Sequence, residues 1–285
     1  MPPAISIVYD QIRWEEKALA EAARIKGTPV NLIDAKKVYF KLADSEELPS
    51  EFGDITLQRC VSYFRNLHIT AILESKGHPV VNSYQVASLC GNKLLTSLRL
   101  AEAGIPTPKT YVAFTPEAAL NALEELGYPA LIKPIIGSWG RLIVPLKDKE
   151  TAEAVLEERL YMFPLYQVFY LQEIVKRPPR DIRVFVVGDE AIAGIYRYSF
   201  YDLKTNIARG GRAEPCHITD ELREISLKAA EAVGGGVLGV DLMETENGYI
   251  VHEINHTIEF HATVNVTGIN IPKYIVGYLL RKAKR

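Results

Sequence analysis

The sequence predicts an α/β protein in which a small parallel α/β unit is followed by two strand-rich α+β units. Residues 1–87 alternate short apolar runs, such as ISIVYD and PVNLID, with stretches of helical period, such as WEEKALAEAARIKG. Beyond residue 109 the apolar segments are mostly of strand type and closely spaced. The 285 residues, 48% hydrophobic and 24% charged, suffice for two or three packed units.

Composition and charge argue against several classes of function. The 33 basic and 35 acidic residues give a net charge of −2, which provides no overall field for binding nucleic acid. No apolar run is long enough to span a membrane, and the N-terminus lacks an export pattern. The cysteines Cys60, Cys90 and Cys216 have no disulfide or metal-ligand spacing, so we expect a reduced, cytoplasmic protein. The oligomeric state stays open, a homo-oligomer included.

The predicted units are 1–87, 88–175 and 176–285. The segment SLCGNKLLTSLRLAEAG opens the second unit as one helix, which Gly104, Pro106 and Pro108 stop. The strands KTYVAF, PALIKPI, RLIVPLKD and FYLQEIV then alternate with the helices TPEAALNALEELG and TAEAVLEERL. The third unit contains the pair DIRVFVVGDE and AIAGIYRYS, the helix ELREISLKAAEAVG, and the strands VLGVDLME and GYIVHEIN.

A glycine-containing turn in LIKPIIGSWGR, residues 131–141, is the first candidate binding element. Lys133 lies near the end of a strand, and Gly137-Ser138-Trp139-Gly140 follows with Arg141. Glycines let backbone N–H groups approach a phosphate, and a lysine neutralises its oxygens. The spacing is not that of a Walker loop, and a plain hairpin turn is an equally good interpretation. Lys93 is a weaker candidate, since a helical lysine is usually solvated.

Two further groups of residues are candidates for ligand contact. The end of an aromatic-rich strand, QEIV at 172–175, offers Glu173 and the backbone of Ile174 and Val175 to an adenine edge. The alternative is an ordinary buried strand. Cations and an amide occur among the aromatic segments that follow, although isolated arginines are mostly surface residues. These residues are Arg183, Arg197, Asn206 and Arg209.

Carboxylates in VLGVDLMETENGYIVHEIN predict a magnesium site, provided that the hairpin has the right register. A three-residue loop at 246–248 sets Asp241 opposite Glu253 and places both on one face with Asn255. Mg²⁺ accepts a few such oxygen ligands and keeps positions for phosphate and water. A two-residue turn at 247–248 would shift the pairing by one and separate the carboxylates. A solvated surface strand is the other alternative.

The order of these motifs resembles the ATP-grasp superfamily over nearly the whole chain. KPIIGSWGR, RDIRVFVVG, ARGG, KAAEAVGGGV and NHTIEF are similar to its RimK-related ligases, and especially to the LysX family. The resemblance implies an ATP-grasp fold with an N-terminal Rossmann-like pre-ATP-grasp domain. It also implies an ATP- and Mg²⁺-dependent ligase that joins α-aminoadipate, through an acyl phosphate, to the acidic carrier protein LysW in lysine biosynthesis.

The resemblance also implies roles for individual residues. Lys93 and Lys133 bind ATP phosphates beneath the GSWGR turn, and Gln172 to Val175 form the adenine hinge. Asp241, Glu253 and Asn255 hold Mg²⁺, while the three arginines and Asn206 face the phosphoryl group and the substrate carboxylates. The segment that contacts the amino acid comprises Glu259, Phe260, Ala262, Thr263 and Gly268.

The amino acid itself is the least determined part of the prediction. Ala262, Thr263 and Gly268 resemble the α-aminoadipate type, whereas glutamate-using relatives have a Gly-Phe pair and a later asparagine. His261 departs from the usual lysine. A glutamate–LysW ligase, a bifunctional enzyme, a RimK-like ligase that adds glutamates to a protein tail, and a non-catalytic nucleotide-binding regulator remain alternatives.

Overall fold

A computed structural model of the protein describes residues 2–42, 48–198 and 212–283. Within these ranges the chain forms three β-sheets, one in each third of the sequence, with helices packed on them. The first sheet is parallel, and the second and third are antiparallel. Over the same ranges, no helix has the length and apolar composition needed to cross a membrane. The mixed α/β fold class is as predicted.

The first sheet brings the residues that follow its parallel strands to one edge. Its strand order is β2-β1-β3-β4, and the segments after β1 and β3 lie side by side there. In parallel sheets this edge is the usual place for ligand contacts. The elements are β1 (Ile5–Tyr9), α1 (Trp14–Ile25), β2 (Val30–Asp34), β3 (Ile55–Gln58), α2 (Tyr63–Ser75) and β4 (Val80–Val81).

Two helices replace the single helix predicted for the start of the second unit. They are α3 (Tyr84–Cys90) and α4 (Lys93–Glu102). The break has a local cause, because the Asn92 side chain accepts hydrogen bonds from the N–H groups of Leu94 and Leu95 at 3.0 and 3.4 Å. Lys93 therefore lies in the first turn of α4, and its N–H donates to the carbonyl of Ile135 at 2.7 Å.

The second sheet has strand order β5-β8-β6-β7 and its own hydrophobic core. β7 begins later than predicted because the turn before it is longer. Trp139 and Leu142 have positive φ angles of 57° and 58°, whereas residues in a β-strand have negative φ angles. The elements are β5 (Thr110–Ala113), α5 (Pro116–Leu126), β6 (Ala130–Lys133), β7 (Val144–Leu146), α6 (Lys149–Leu160) and β8 (Phe169–Glu173).

The third sheet, of order β11-β10-β9-β12-β13, shares a core with the first unit. Ile7 and Leu19 of the first unit belong to the same buried cluster as Phe185 and Leu279 of the third. The two units are thus joined by apolar packing. The elements are β9 (Arg180–Val187), β10 (Glu190–Tyr198), β11 (Arg212–Pro215), α7 (Asp220–Ala232), β12 (Val237–Thr245), β13 (Gly248–Asn255), α8 (His261–Thr267) and α9 (Ile271–Lys282).

The β12–β13 hairpin pairs Asp241 with Glu253, although not through the predicted loop. Thr245 pairs with Gly248, so the turn has two residues, 246 and 247. The pairing then shifts by one between Leu242–Val251 and Asp241–Glu253, which makes His252 an extra, bulged residue. The predicted pairing is therefore correct and the predicted loop length is wrong.

The bulge also changes which side chains share a face. Val251 and Ile254 are both fully buried in the core beneath the sheet. His252, Glu253 and Asn255 all line the cavity on the opposite side. Regular alternation of side chains, on which the sequence prediction depends, would group Val251 with Glu253 and His252 with Ile254, and it does not hold here. One extra residue reverses the alternation at that point.

Candidate active site

One cavity of about 850 Å³ is lined by residues of all three units. That volume is typical of small-molecule sites. Most of the predicted site residues meet there. They are Lys93, Lys133, Gly137, Ser138, Trp139, Gly140, Arg141, Gln172, Glu173, Ile174, Val175, Arg183, Arg197, Asp241, Glu253, Asn255, Glu259, Ala262 and Thr263.

Two predicted residues within the described ranges, Phe260 and Gly268, are not among those that line the cavity. Phe260 is fully buried in the core shared by the first and third units. Gly268 ends α8 in the left-handed conformation with φ of 70°, whereas the α8 residues that line the cavity stop at Thr263. Phe260 and Gly268 are therefore not in a position to contact the substrate directly. Asn206 and Arg209 lie outside the described residues.

Two lysines connect the glycine turn to the strands behind it. The Lys93 ammonium donates to the carbonyl of Gly137 at 2.9 Å and pairs with Glu253 at 3.1 Å. The Lys133 ammonium is buried and donates to the side-chain oxygen of Gln172. Burial lowers the pKa of Lys133 to about 8, Glu253 opposes that shift, and Lys93 adds to it. A bound anion would favour the charged form of Lys133.

The glycine turn itself carries positive charge without a carboxylate partner. The Arg141 guanidinium lies over the Trp139 ring, 4.8 Å from its centroid. Arg177, which the sequence prediction missed, lines the same cavity, is close enough to Lys133 to lower the pKa of that lysine, and donates to the carbonyls of Pro178 and Arg180. Neither arginine forms an ion pair with a carboxylate of the described residues. This end of the cavity is suited to a polyanion.

The predicted adenine hinge begins where β8 ends. The Glu173 carboxylate accepts the N–H of Lys109 at 2.7 Å, and the Gln172 amide donates to Thr110 and Tyr170. Both side chains therefore have protein partners. Ile174 and Val175 follow the strand and line the cavity, so a base-edge contact at this position would use the main chain.

Asp241 is the centre of a buried charge network. Arg183 binds both of its carboxylate oxygens, at 2.6 and 2.7 Å, and Arg197 approaches one of them at 3.0 Å. The Asn255 amide donates to Asp241 at 3.1 Å, and Arg197 also binds both oxygens of Asp181. Burial opposes ionisation of Asp241, but the two arginines outweigh it and hold its pKa below the usual range.

The chemistry of this donor set fits Mg²⁺. Asp241 and Glu253 lie opposite each other on adjacent strands, and the Asn255 side chain adds an amide oxygen. Hard oxygen ligands in small number are what Mg²⁺ takes from a protein. Burial raises the pKa of Glu253, but Lys93 lowers it, and the net effect is a decrease. The pKa of Asp241 is also lowered, so both carboxylates are charged. No group of three or more acidic, histidine or cysteine side chains that could hold a metal occurs among the described residues, so this set of two carboxylates and one amide is the smaller kind of site that leaves positions for phosphate and water.

The first unit supplies cavity residues that the sequence prediction missed. Arg13, Trp14 and Glu15 follow β1, and Cys60 and Val61 follow β3. Their position after parallel strands is the signal that could have identified them. His252 was missed because only the bulge turns it towards the cavity.

Comparison with known protein families decides the assignment of the chain. Residues 90–279 match the RimK-like ATP-grasp domain, and residues 5–89 match the LysX pre-ATP-grasp domain. The chain belongs to the RimK-like ATP-grasp family. It is therefore an ATP-dependent ligase, and ATP and Mg²⁺ are the cofactors of ATP-grasp ligases. The predicted superfamily, fold and enzyme class are confirmed.

Individual relatives of this RimK-like ATP-grasp protein include two carrier-protein ligases. An α-aminoadipate–LysW ligase LysX from Sulfurisphaera tokodaii is 40% identical, and the alignment covers 95% of this chain and 96% of the relative. A glutamate–LysW ligase ArgX from the same organism is 32% identical, with 96% and 97% covered.

Solved structures show the same fold. A RimK domain ATP-grasp protein from Sphaerobacter thermophilus has a TM-score of 0.81 at 24% identity and covers 97% of this chain and 99% of its own. D-alanine–D-alanine ligase from Bacillus anthracis, complexed with ATP, has a TM-score of 0.71 at 18% identity, with 100% and 99% covered.

Proposed function

We propose that this ligase joins the α-amino group of α-aminoadipate to the γ-carboxylate of the C-terminal glutamate of a LysW-type carrier protein in lysine biosynthesis. One observation carries the proposal: the cationic glycine turn, the paired carboxylates, Glu259 and residues 261–263 line a single cavity. The similarity at 40% identity to an α-aminoadipate–LysW ligase supports this substrate pair over glutamate.

Each part of the cavity has a proposed task. Lys133, Lys93 and the backbone of residues 137–140 bind the triphosphate, and the main chain at 174–175 contacts the adenine edge. Asp241, Glu253 and Asn255 would hold Mg²⁺, which neutralises charge on the phosphate oxygens when bound. Arg183 and Arg197 orient Asp241 and face the reacting carboxylate.

The reaction requires charge stabilisation and not a side-chain nucleophile. Transfer of the γ-phosphoryl group from ATP to the carrier carboxylate leaves ADP and gives an acyl phosphate. The amine of the amino acid attacks the acyl carbon, the C–O bond to phosphate breaks, and an amide and inorganic phosphate result. Negative charge moves between oxygens in both steps, so preorganised cations lower the barrier by several kcal/mol on the general scale of about 2–4 kcal/mol per donor.

Selection of the amino acid is proposed for the start of α8. Ala262 and Thr263 line the cavity there, and His261 stacks on Trp14 with ring centroids 4.4 Å apart. Glu259 pairs with Arg13 at 3.2 Å on the same wall. Because a pocket that accepts the longer side chain discriminates against the shorter one by only about 1–3 kcal/mol per methylene, glutamate should be a poor substrate and not an excluded one.

The decisive experiment is an ADP-release assay with purified ligase and LysW-type carrier, comparing α-aminoadipate with glutamate. We expect amino-acid-dependent ADP release, with a higher kcat/KM for α-aminoadipate. A carrier that lacks its C-terminal glutamate is the matched control and should abolish the signal. A preference for glutamate would assign the chain to the glutamate type, and repeated addition to one acceptor would indicate a protein-tail ligase.

A further inference from the structure

Three consecutive residues at the start of α1 contact three consecutive residues at the start of α8. Arg13 pairs with Glu259, and the Trp14 ring stacks on His261. Glu15 accepts hydrogen bonds from the backbone N–H groups at 260 and 261. We call this set, residues 13–15 with residues 259–261, the α1–α8 contact. It joins the first unit directly to the segment proposed to select the amino acid.

Glu15 is the polar centre of the α1–α8 contact. Its Oε1 atom accepts the N–H of Phe260 and the N–H of His261, each at 3.1 Å, and the residue is only 5% exposed. The first N–H groups of a helix have no partner within the helix. α8 is short, and Phe260 provides no side-chain cap. Glu15 therefore supplies, from another unit, the acceptor that the helix lacks.

The first unit also holds the residues just upstream. Arg59, 2% exposed, donates to the carbonyl of Ile258 at 2.8 Å and binds Glu16 at 3.0 Å. Asn66 donates to Thr257 at 3.1 Å, and Asn82 donates to the carbonyl of residue 256 at 2.7 Å. The whole stretch 256–261 is thus bonded to the first unit after it leaves β13.

We propose that Glu15 is a positioning residue for amino-acid selection: it fixes the backbone at 260–261 and so sets where Ala262 and Thr263 lie in the cavity. The inference rests on the proposed function, because the selecting role of residues 262–263 belongs to it. A carboxylate is not required as such, because the task is to accept two N–H groups. A glutamine oxygen can do the same.

The test compares Glu15→Ala with Glu15→Gln in the carrier-dependent ADP-release assay. For Glu15→Ala we expect kcat/KM for α-aminoadipate to fall about tenfold through a higher amino-acid KM, since two buried N–H groups lose their acceptor. The ratio of kcat/KM between α-aminoadipate and glutamate should move towards one, and the KM for ATP should change less than about twofold, since the glycine turn is untouched. Glu15→Gln should restore the ratio.

The matched control is Ser6→Ala, which removes another buried polar contact from the same unit. Its hydroxyl lies 2.6 Å from that of Thr56, within the first sheet. If Ser6→Ala shifts the substrate ratio as much as Glu15→Ala, the effect is general destabilisation and the proposal is wrong. A Glu15→Gln variant that selects as poorly as Glu15→Ala would also overturn it, because charge and not hydrogen-bond acceptance would then matter.

Amide exchange provides a measurement that does not depend on the substrate. Exchange at residues 260–261 should be faster in Glu15→Ala than in wild type and Glu15→Gln, while exchange in α9 stays the same. Equal exchange in all three proteins would refute the positioning role. If wild type ligates neither amino acid, the proposed function fails, but the exchange result still decides whether Glu15 holds this segment.

Discussion

Asp241 and Glu253 are both proposed ligands of Mg²⁺, but the structure predicts very different losses of stability when the carboxylate of each is replaced by an amide. Asp241 is buried and binds Arg183 through two hydrogen bonds and Arg197 through a third contact. Asp241→Asn leaves the Arg183 guanidinium without its carboxylate and removes one of the two carboxylates that Arg197 binds, which costs about 3–5 kcal/mol. At roughly 2–4 °C per kcal/mol, we expect the Tm of the nucleotide-free protein to fall by about 10 °C.

Glu253 has a smaller structural role. Its side chain is 29% exposed, and its ion pair with Lys93 is 3.1 Å long. Exposed or half-exposed pairs contribute about 1 kcal/mol or less, so Glu253→Gln should lower the Tm by only about 1–3 °C. The effect of Glu253→Gln should appear instead in Mg²⁺-dependent binding of the nucleotide, because the glutamine side chain lacks the charged oxygen that a hard cation prefers.

Thermal unfolding with and without Mg²⁺ and a non-hydrolysable ATP analogue measures both effects. Wild type should gain stability as ligand saturation rises, by about 2.7 kcal/mol at a ligand concentration of 100 Kd. Both variants should lose most of the Mg²⁺-dependent part of that gain. A Glu253→Gln protein that keeps the full gain would refute the metal assignment. An Asp241→Asn protein as stable as wild type would refute the importance of the arginine pairs.

Three further outcomes are expected. Thr263→Phe, which fills a cavity-lining position, should move the kcat/KM ratio about tenfold towards glutamate, whereas Gly268→Asn at the end of α8 should leave it unchanged. Burial lowers the pKa of Lys133 to about 8, and the phosphates of ATP favour its charged form. The apparent affinity for ATP should therefore fall as the pH rises above about 8. Calorimetry between pH 7 and 9.5 measures this affinity, and a flat profile would show that the reasoning is wrong. Amide exchange at residues 137–141 should slow when ATP is added, and equal rates would count against closure of the turn over the nucleotide.

Most of the predicted site residues line the cavity, and they could be predicted because they belong to local motifs. Lys133 with the glycine turn, and Asp241 with Glu253, lie within short stretches whose chemistry can be recognised without a structure. The N-terminal contributors could not be recognised in this way. Arg13 and Glu15 are about 245 residues away from Glu259 and Phe260, and only the shared core of the first and third units brings them together.

Asp241 pairs with Glu253 as predicted, but the pairing results from a bulge and not from the predicted three-residue loop. Val251 and Ile254 are three residues apart and are both fully buried beneath the sheet. Regular alternation cannot place two residues with that spacing on one face, so burial of both requires an extra residue between them. This apolar spacing is present in the sequence and indicates a bulge, which the predicted three-residue loop does not include.

Separate cores suggest how the nucleotide and amino-acid ends of the cavity divide their tasks. The second sheet, which carries the glycine turn and the hinge, packs with α5 and α6 around its own hydrophobic core. The segment proposed to select the amino acid is instead attached to the core shared by the first and third units and bonded to the first unit through the α1–α8 contact. We therefore expect changes in residues 13–15 to alter the proposed amino-acid selection without disturbing the packing of the proposed triphosphate site, since sites without shared partners act independently. Because of this separation, we expect the determinants of the amino-acid preference of this ligase to lie at the α1–α8 contact rather than at the glycine turn.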